Sequence, residues 1–213
     1  MRFLSFEHGR AAYRADFLIY GAAVALLSAL LIGAGPRGHG LALAGMMLAG
    51  LLGWSFVEYG LHRFVLHGLP PLRRWHEQHH QRPTALICTP TLLSGSLIAL
   101  FVFLPAAMMG DRWLACALTL GLLIGYLGYA VTHHAIHHWH GQGDWLLRRK
   151  RWHALHHRLE GGSRCFGVTS AFWDRLLRSA PRSPGVRQRT DGSAANPYKG
   201  PGTEPLHSTE SKP

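Results

Sequence analysis

Residues 129–140 read YAVTHHAIHHWH, five imidazoles in twelve residues at the end of a long apolar run. On a helix, His133 and His137 fall one turn apart on one side, and His134 and His138 repeat the pair on the neighbouring ridge. Working outward, His62 and His67 form an earlier packet, His76, His79 and His80 a second, and His153, His156 and His157 the last. Thirteen of the sixteen histidines therefore lie between residues 62 and 157. The two outer triplets share the spacing H-x-x-H-H, which brings three rings to one side of a helix. His62 and His67 are five apart, so they converge only at a helix end or a distortion.

The packets punctuate runs of membrane length. Residues 17–35, 41–57, 92–109 and 113–132 carry no charge, and a helix needs roughly 20 apolar residues to cross a bilayer core. Pro105 should bend or break the third of these runs. The expected fold is an all-α integral membrane protein: four transmembrane helices with a cytosolic helical cap holding a histidine-rich di-metal site. In domain terms, residues 1–16 are a cytosolic N-terminal segment, 17–178 the membrane domain and 179–213 a disordered tail of Pro, Gly, Ser and charge. Residues 166–177 read as an apolar-aromatic segment along the membrane surface, with Arg175 and Arg178 toward the headgroups. The first run is too long, and Glu7 and Asp16 too acidic, for a cleaved signal.

Charge sets the orientation. With a cytoplasmic N-terminus the inside receives Arg2, Arg10, Arg14, Arg63, Arg73, Arg74, Arg82 and the run Arg148, Arg149, Lys150 and Arg151, and the outside only Arg37 and Arg112. The same topology puts all four packets and both termini in the cytoplasm, and the expected location is a bacterial inner membrane. The net charge of +11 thus follows from membrane topology, and nucleic acid is not an expected partner. Cys88, Cys116 and Cys165 form no pair suited to a disulfide framework. Gly121 and Gly125 in the fourth run, and Gly45, Ala49 and Gly53 in the second, are read as stripes for packing within the molecule.

Neutral imidazole suits Fe, Zn, Cu and Ni. Two, three, two and three histidines from the four packets give about ten candidates, where one metal takes four to six, so two metals share the site. Solvated histidines at headgroup level do not explain four packets on one side of the membrane. His134, His138 and His140 stand apart as hydrogen-bond partners or substrate-side residues, and His8, His39 and His207 as solvated. Glu58, one turn before His62, either holds a ligand imidazole or pairs with Arg63, and Asp174 either does the same or caps a turn. Trp75, Trp139 and Trp152 read as interface anchors. A metal transporter would need polar groups at mid-membrane, and the four spans have none there. An all-nitrogen redox centre at a bilayer suits dioxygen activation on a lipid.

The motifs HRFVLH (62–67), HEQHH (76–80), HHAIHH (133–138), HALHH (153–157) and FGVTSAFWD (166–174) resemble the fatty acid hydroxylase (sterol desaturase) superfamily of membrane di-metal oxygenases. The resemblance implies His62, His67, His76, His79, His80, His133, His137, His153, His156 and His157 as ligands. It also implies two iron ions (with zinc a possible replacement on purification), O2 as co-substrate, and hydroxylation of an acyl chain of a fatty acid or lipid. Desaturation or carotenoid hydroxylation is the alternative on the same scaffold, and a histidine-rich metal-binding membrane protein the non-enzymatic one. Two positions depart from the family pattern: His134 replaces a common Tyr, and Ala130 a common acid. Only 61 residues precede His62, which leaves no room for a fused cytochrome-b5-like domain. The expected electron donor is therefore a separate ferredoxin or cytochrome b5-like protein.

Overall fold

The computed structural model describes residues 7–141, 143–158 and 164–181. The expected tail from residue 182 onward lies outside them. Among the described residues eight α-helices follow in order: α1 (Arg10–Ala34), α2 (Gly40–Gly60), α3 (Leu72–Gln81), α4 (Thr91–Ile98), α5 (Leu104–Met108), α6 (Arg112–His138), α7 (Asp144–Arg158) and α8 (Phe172–Leu176). Among the described residues there is no strand, only one isolated bridge between Glu7 and Ile87. Four segments of the described residues are long and apolar enough to cross a membrane: Arg10–Ala34, Gly40–Leu66, Thr91–Met108 and Arg112–His138. Their outer faces leave Leu26, Ile32, Leu41, Leu92 and Met108 exposed, as suits contact with lipid tails rather than water.

The central helix is α6, which packs against α1, α2, α5 and α7. Asp111 starts it, its carboxylate accepting from the Trp113 and Leu114 amides at 2.7 and 3.4 Å. The closest seam is with α2, where glycines let the two backbones meet. A Cβ on Gly121 would stand 1.8 Å from the Met47 carbonyl oxygen, and one on Gly50 2.0 Å from that of Leu118. Gly125 lies under the Trp54 side chain. The α6 stripe is thus as expected, but Gly45, Ala49 and Gly53 are not its counterpart. Gly45 and Gly53 have nothing near them, and the α2 stripe runs through Gly50, Trp54, Glu58 and His62 at four-residue steps. Small residues permit close approach on any face; only the partner's position decides which face is used.

Two wide turns interrupt the spans. Pro105 does not break the third one. A π-helical segment at Ala99–Phe103 carries the hydrogen bonds past it, with the Leu104 amide reaching back to Ala99. The widened turn makes room where the proline ring would strike a carbonyl four residues earlier. The second π segment, Leu61–Leu66, continues α2 into the first histidine packet. A π turn sets residues five apart one above the other, and the His67 amide bonds the His62 carbonyl at 3.3 Å. This is the distortion that the spacing of His62 and His67 requires.

Helix α1 begins at Arg10, earlier than expected, and the strip before it is tied down by Arg82 to Glu7 (2.9 Å) and by the His8 ring to the Cys88 carbonyl. At the other end, Ser179 is buried and bonds both Tyr59 and Asp174, so the folded part extends past the boundary set at 178. Replacing Gly121 with Ala should cost about 1–3 kcal/mol and lower the melting temperature in detergent. Gly45→Ala, on open surface, should leave it unchanged or slightly raised.

Candidate metal centre

The histidines converge at one end of the bundle in two groups. His62, His67, His76, His80 and His156 form the first, and His79, His133, His137 and His153 the second; within each, one nitrogen per ring lies within 4.8 Å of every other. Nε2 faces Nε2 throughout: His62 to His76 at 2.9 Å, His67 to His156 at 3.1 Å and His76 to His80 at 3.1 Å in the first group. In the second, His79 meets His133 at 3.1 Å and His137 meets His153 at 3.0 Å. His157 lies at the junction, its Nε2 3.0 Å from that of His153 and its ring stacked on His80.

The partition was not legible from spacing. In α3, His76 and His80 turn to the first group while His79 between them turns to the second. In α7 the roles reverse: His153 lies in the second group beside His157, and His156 crosses to the first. Each H-x-x-H-H packet thus serves both groups.

The rings are held from behind. His62 Nδ1 donates to the Phe166 carbonyl at 2.5 Å, and His156 Nδ1 to that of Arg164 at 2.8 Å. A carbonyl only accepts, so the proton of each neutral ring sits on Nδ1 and Nε2 presents a bare lone pair to the group. Cys165, between the two carbonyls, takes φ 59°, a left-handed turn that aims both at the histidines. Its thiol is buried and pushed up to about 11, so it stays protonated.

Two buried carboxylates fix that loop. Asp174 accepts from the amides of Phe166 (2.9 Å) and Gly167 (2.8 Å), from Trp152 Nε1 (3.1 Å) and from Ser179 Oγ (2.7 Å). Glu58 accepts from the amides of Val168 (2.8 Å) and Thr169 (2.9 Å) and from Thr169 Oγ1 (2.5 Å). Neither of the two roles expected of Glu58 is the one it has. It holds the amides of Val168 and Thr169 and the Thr169 hydroxyl, while Arg63 donates to the Tyr59 hydroxyl at 2.6 Å. Asp174 takes the turn-holding role. The loop therefore does not lie along the membrane as one amphipathic segment: Phe166 is buried against His62, and only the short α8 leaves Phe172 and Leu176 exposed.

Other expected residues fall elsewhere. His134 faces α1, where Tyr13 OH meets its Nδ1 at 3.1 Å, and His138 stacks on it; His140 is exposed. His134 and His138 share the ridge of α6 that meets α1, and His140 lies beyond the end of the helix. Of the three tryptophans, Trp152 bonds Asp174, Trp75 lines a cavity, and Trp139 is half exposed. Sequence reading missed that cavity. It has a volume of about 120 Å³ and reaches His76, His79 and His133 from between α1 and α6, with Tyr13, Asp16, Phe17, Tyr126, Tyr129 and Ala130 in its wall. Ala130, the departure from the family pattern, puts a small side chain in that wall.

Burial, and then the neighbouring rings, push the imidazoles down: His79 to about 3, His80 to about 4 and His157 to about 2, with His76 and His153 well below the ordinary value. These folded values lie below the unfolded value of about 6.5, so unfolding in mild acid takes up protons. The stability of the metal-free protein should be fully present above about pH 6.5 and fall as the pH drops toward about 4. A level melting temperature across that range would place the rings in solvent. Asp174→Ala strips four donors of their acceptor and should cost about 3 kcal/mol or more by chemical denaturation.

A profile of the family described as Fatty acid hydroxylase matches residues 47–179. Dihydroceramide fatty acyl 2-hydroxylase FAH2 of Arabidopsis thaliana is 30% identical over 150 residues, covering 64% of this chain and 61% of that protein. Fatty acid 2-hydroxylase of Mus musculus is 30% identical over 148 residues, covering 63% of this chain and 39% of its own length. This chain thus spans less than two thirds of the length of these relatives. Among solved structures, full-length scs7p, with only its hydroxylase domain visible, superposes with a TM-score of 0.66 at 23% identity, over 80% of this chain and 67% of that one. That likeness shows the fold. The profile covers both histidine groups and the loop behind them, and the chain belongs to the fatty acid hydroxylase family of the fatty acid hydroxylase/sterol desaturase superfamily.

Proposed function

We propose that this chain is a membrane-bound oxygenase that hydroxylates an acyl chain of a fatty acid or lipid, using two irons held by the clustered histidines. The observation that carries the reading is the pair of converging imidazole groups at the end of the membrane spans, opening onto an apolar-aromatic cavity. The residues fit two cations. A metal–nitrogen distance of about 2.1 Å with right-angled donors puts neighbouring nitrogens about 3.0 Å apart, close to the observed contacts. At His62 and His156 the nitrogens turned into the group carry lone pairs, the form in which an imidazole binds a cation.

His62, His67, His76, His80 and His156 would hold one metal, and His79, His133, His137 and His153, joined by His157, the other. Iron bound there would supply the two-electron activation of O2 needed to break an unactivated C–H bond. In balance, a C–H, O2, two electrons and two protons give C–OH and water. The protein's own part is positioning and exclusion. The carbonyls of Arg164 and Phe166 orient two ligand rings, and burial keeps the clustered rings neutral and available. Phe17, Trp75 and Tyr129 give the cavity an aromatic wall beside the histidines. The electrons come from a separate ferredoxin or cytochrome b5-like donor. The histidine end faces the cytoplasm, in keeping with the basic residues gathered there.

Expression of the wild-type chain in air should add one oxygen to a lipid class, seen by mass spectrometry of total lipids. His137→Ala should abolish the gain while the protein still inserts in the membrane. A class losing two hydrogens would instead identify a desaturase. Metal analysis should give two equivalents of metal for the wild type. His76→Ala and His133→Ala, one in each group, should each lower that content by about one equivalent.

A further inference from the structure

A second concavity adjoins the first. It is an open groove of about 580 Å³ between the start of α1 and the end of α6, floored by Leu18, Val131 and Trp139 and edged by Arg10 and Arg14. The two arginines stand one helical turn apart and are exposed, and no acidic side chain is among the described lining residues. Tyr13, Phe17 and His134 line this groove, and Tyr13 and Phe17 also line the cavity at the histidines, so a single layer of aromatic rings parts the two spaces. That layer is closed by the Tyr13–His134 hydrogen bond and by Phe17 against His134 at 5.8 Å between ring centroids. Apolar floor, paired guanidinium groups at the rim and a thin partition toward the metal ligands together describe a receptor for an anionic amphiphile.

We propose that this groove binds the acyl substrate as a free carboxylic acid, with its carboxylate on Arg10 and Arg14 and its chain lying past Tyr13 and Phe17. The proposal rests on the acyl-oxygenase reading above and narrows it to substrates that carry a negative charge at the head. Guanidinium is suited to this, offering a planar fork of donors to a carboxylate.

The test is photolabelling of the purified full-length protein in detergent with a diazirine-bearing palmitic acid, its methyl ester, and a phosphatidylglycerol carrying the same labelled chain. Labelled peptides are mapped by mass spectrometry. The acid should mark peptides containing residues 10–18 or 131–139. Arg10→Gln with Arg14→Gln should cut that labelling by about tenfold, as should the methyl ester on the wild type. The melting temperature of the double variant is measured alongside, and the acid-against-ester comparison needs no variant at all. Equal labelling by acid and ester, or undiminished labelling of a folded double variant, overturns the proposal. Stronger labelling by phosphatidylglycerol than by the acid also overturns it, and assigns the two arginines to anchoring in the leaflet. Labelling needs no oxygen, electrons or metal, so a chain that binds the acid here yet oxygenates no lipid would refute the oxygenase reading alone.

Discussion

Ten imidazoles brought together out of water must stay uncharged, and most of the structure outside the spans serves that constraint. A proton on any of them would be repelled by the rest and poorly solvated. The chain meets the demand by turning lone pairs inward and placing N–H groups, where their partners are seen, against backbone carbonyls behind. That choice requires carbonyls at the right height, hence the left-handed turn at Cys165, hence the carboxylates of Asp174 and Glu58 that hold the four residues following it. The links continue outward: Arg63 bonds the Tyr59 hydroxyl, Tyr59 meets Ser179, and Ser179 donates to Asp174. A polar chain of this kind, with its members satisfied, fixes a single arrangement of the loop.

Much of this could be read from the sequence. Uncharged runs gave the four spans, and the packets at their ends gave a common metal-binding end, because both depend on local patterns with a definite period. What stayed hidden depends on a partner element. Spacing puts His76, His79 and His80 on one side of α3 but does not say that two groups lie in front of it, one on either flank. Glu58 was noticed as one turn from His62, and its true partners lie more than 100 residues away in a loop. The carbonyls of Arg164 and Phe166 have no signature at all, since every residue carries one. The glycine stripe of α2 was placed on the wrong face for the same reason: composition shows where contact is possible, not where the neighbour stands.

Helix α6 joins the two halves of the molecule. Its upper part has little side chain at Gly121 and Gly125 and lets α2 approach, while its lower part presents His133 and His137. Because α2 is clamped on the first, the π turn that follows α2 arrives beside the second. Lys150 folds back to donate to the Trp139 carbonyl at the end of α6, which sets α7 and its histidines against the same helix. Membrane packing and ligand placement are thus one geometric problem.

The division of each H-x-x-H-H packet between two groups makes α3 and α7 rigid in length as well as composition. One residue inserted between His76 and His79 would turn the later two rings by about 100° and withdraw a donor from each group at once. The outer ends of the spans face no such demand, and loops there can lengthen or shorten without disturbing the histidines. Drift in this fold should therefore be uneven along the membrane normal: tolerant of insertions at the far end, and intolerant of them across the two short helices that stitch the groups together.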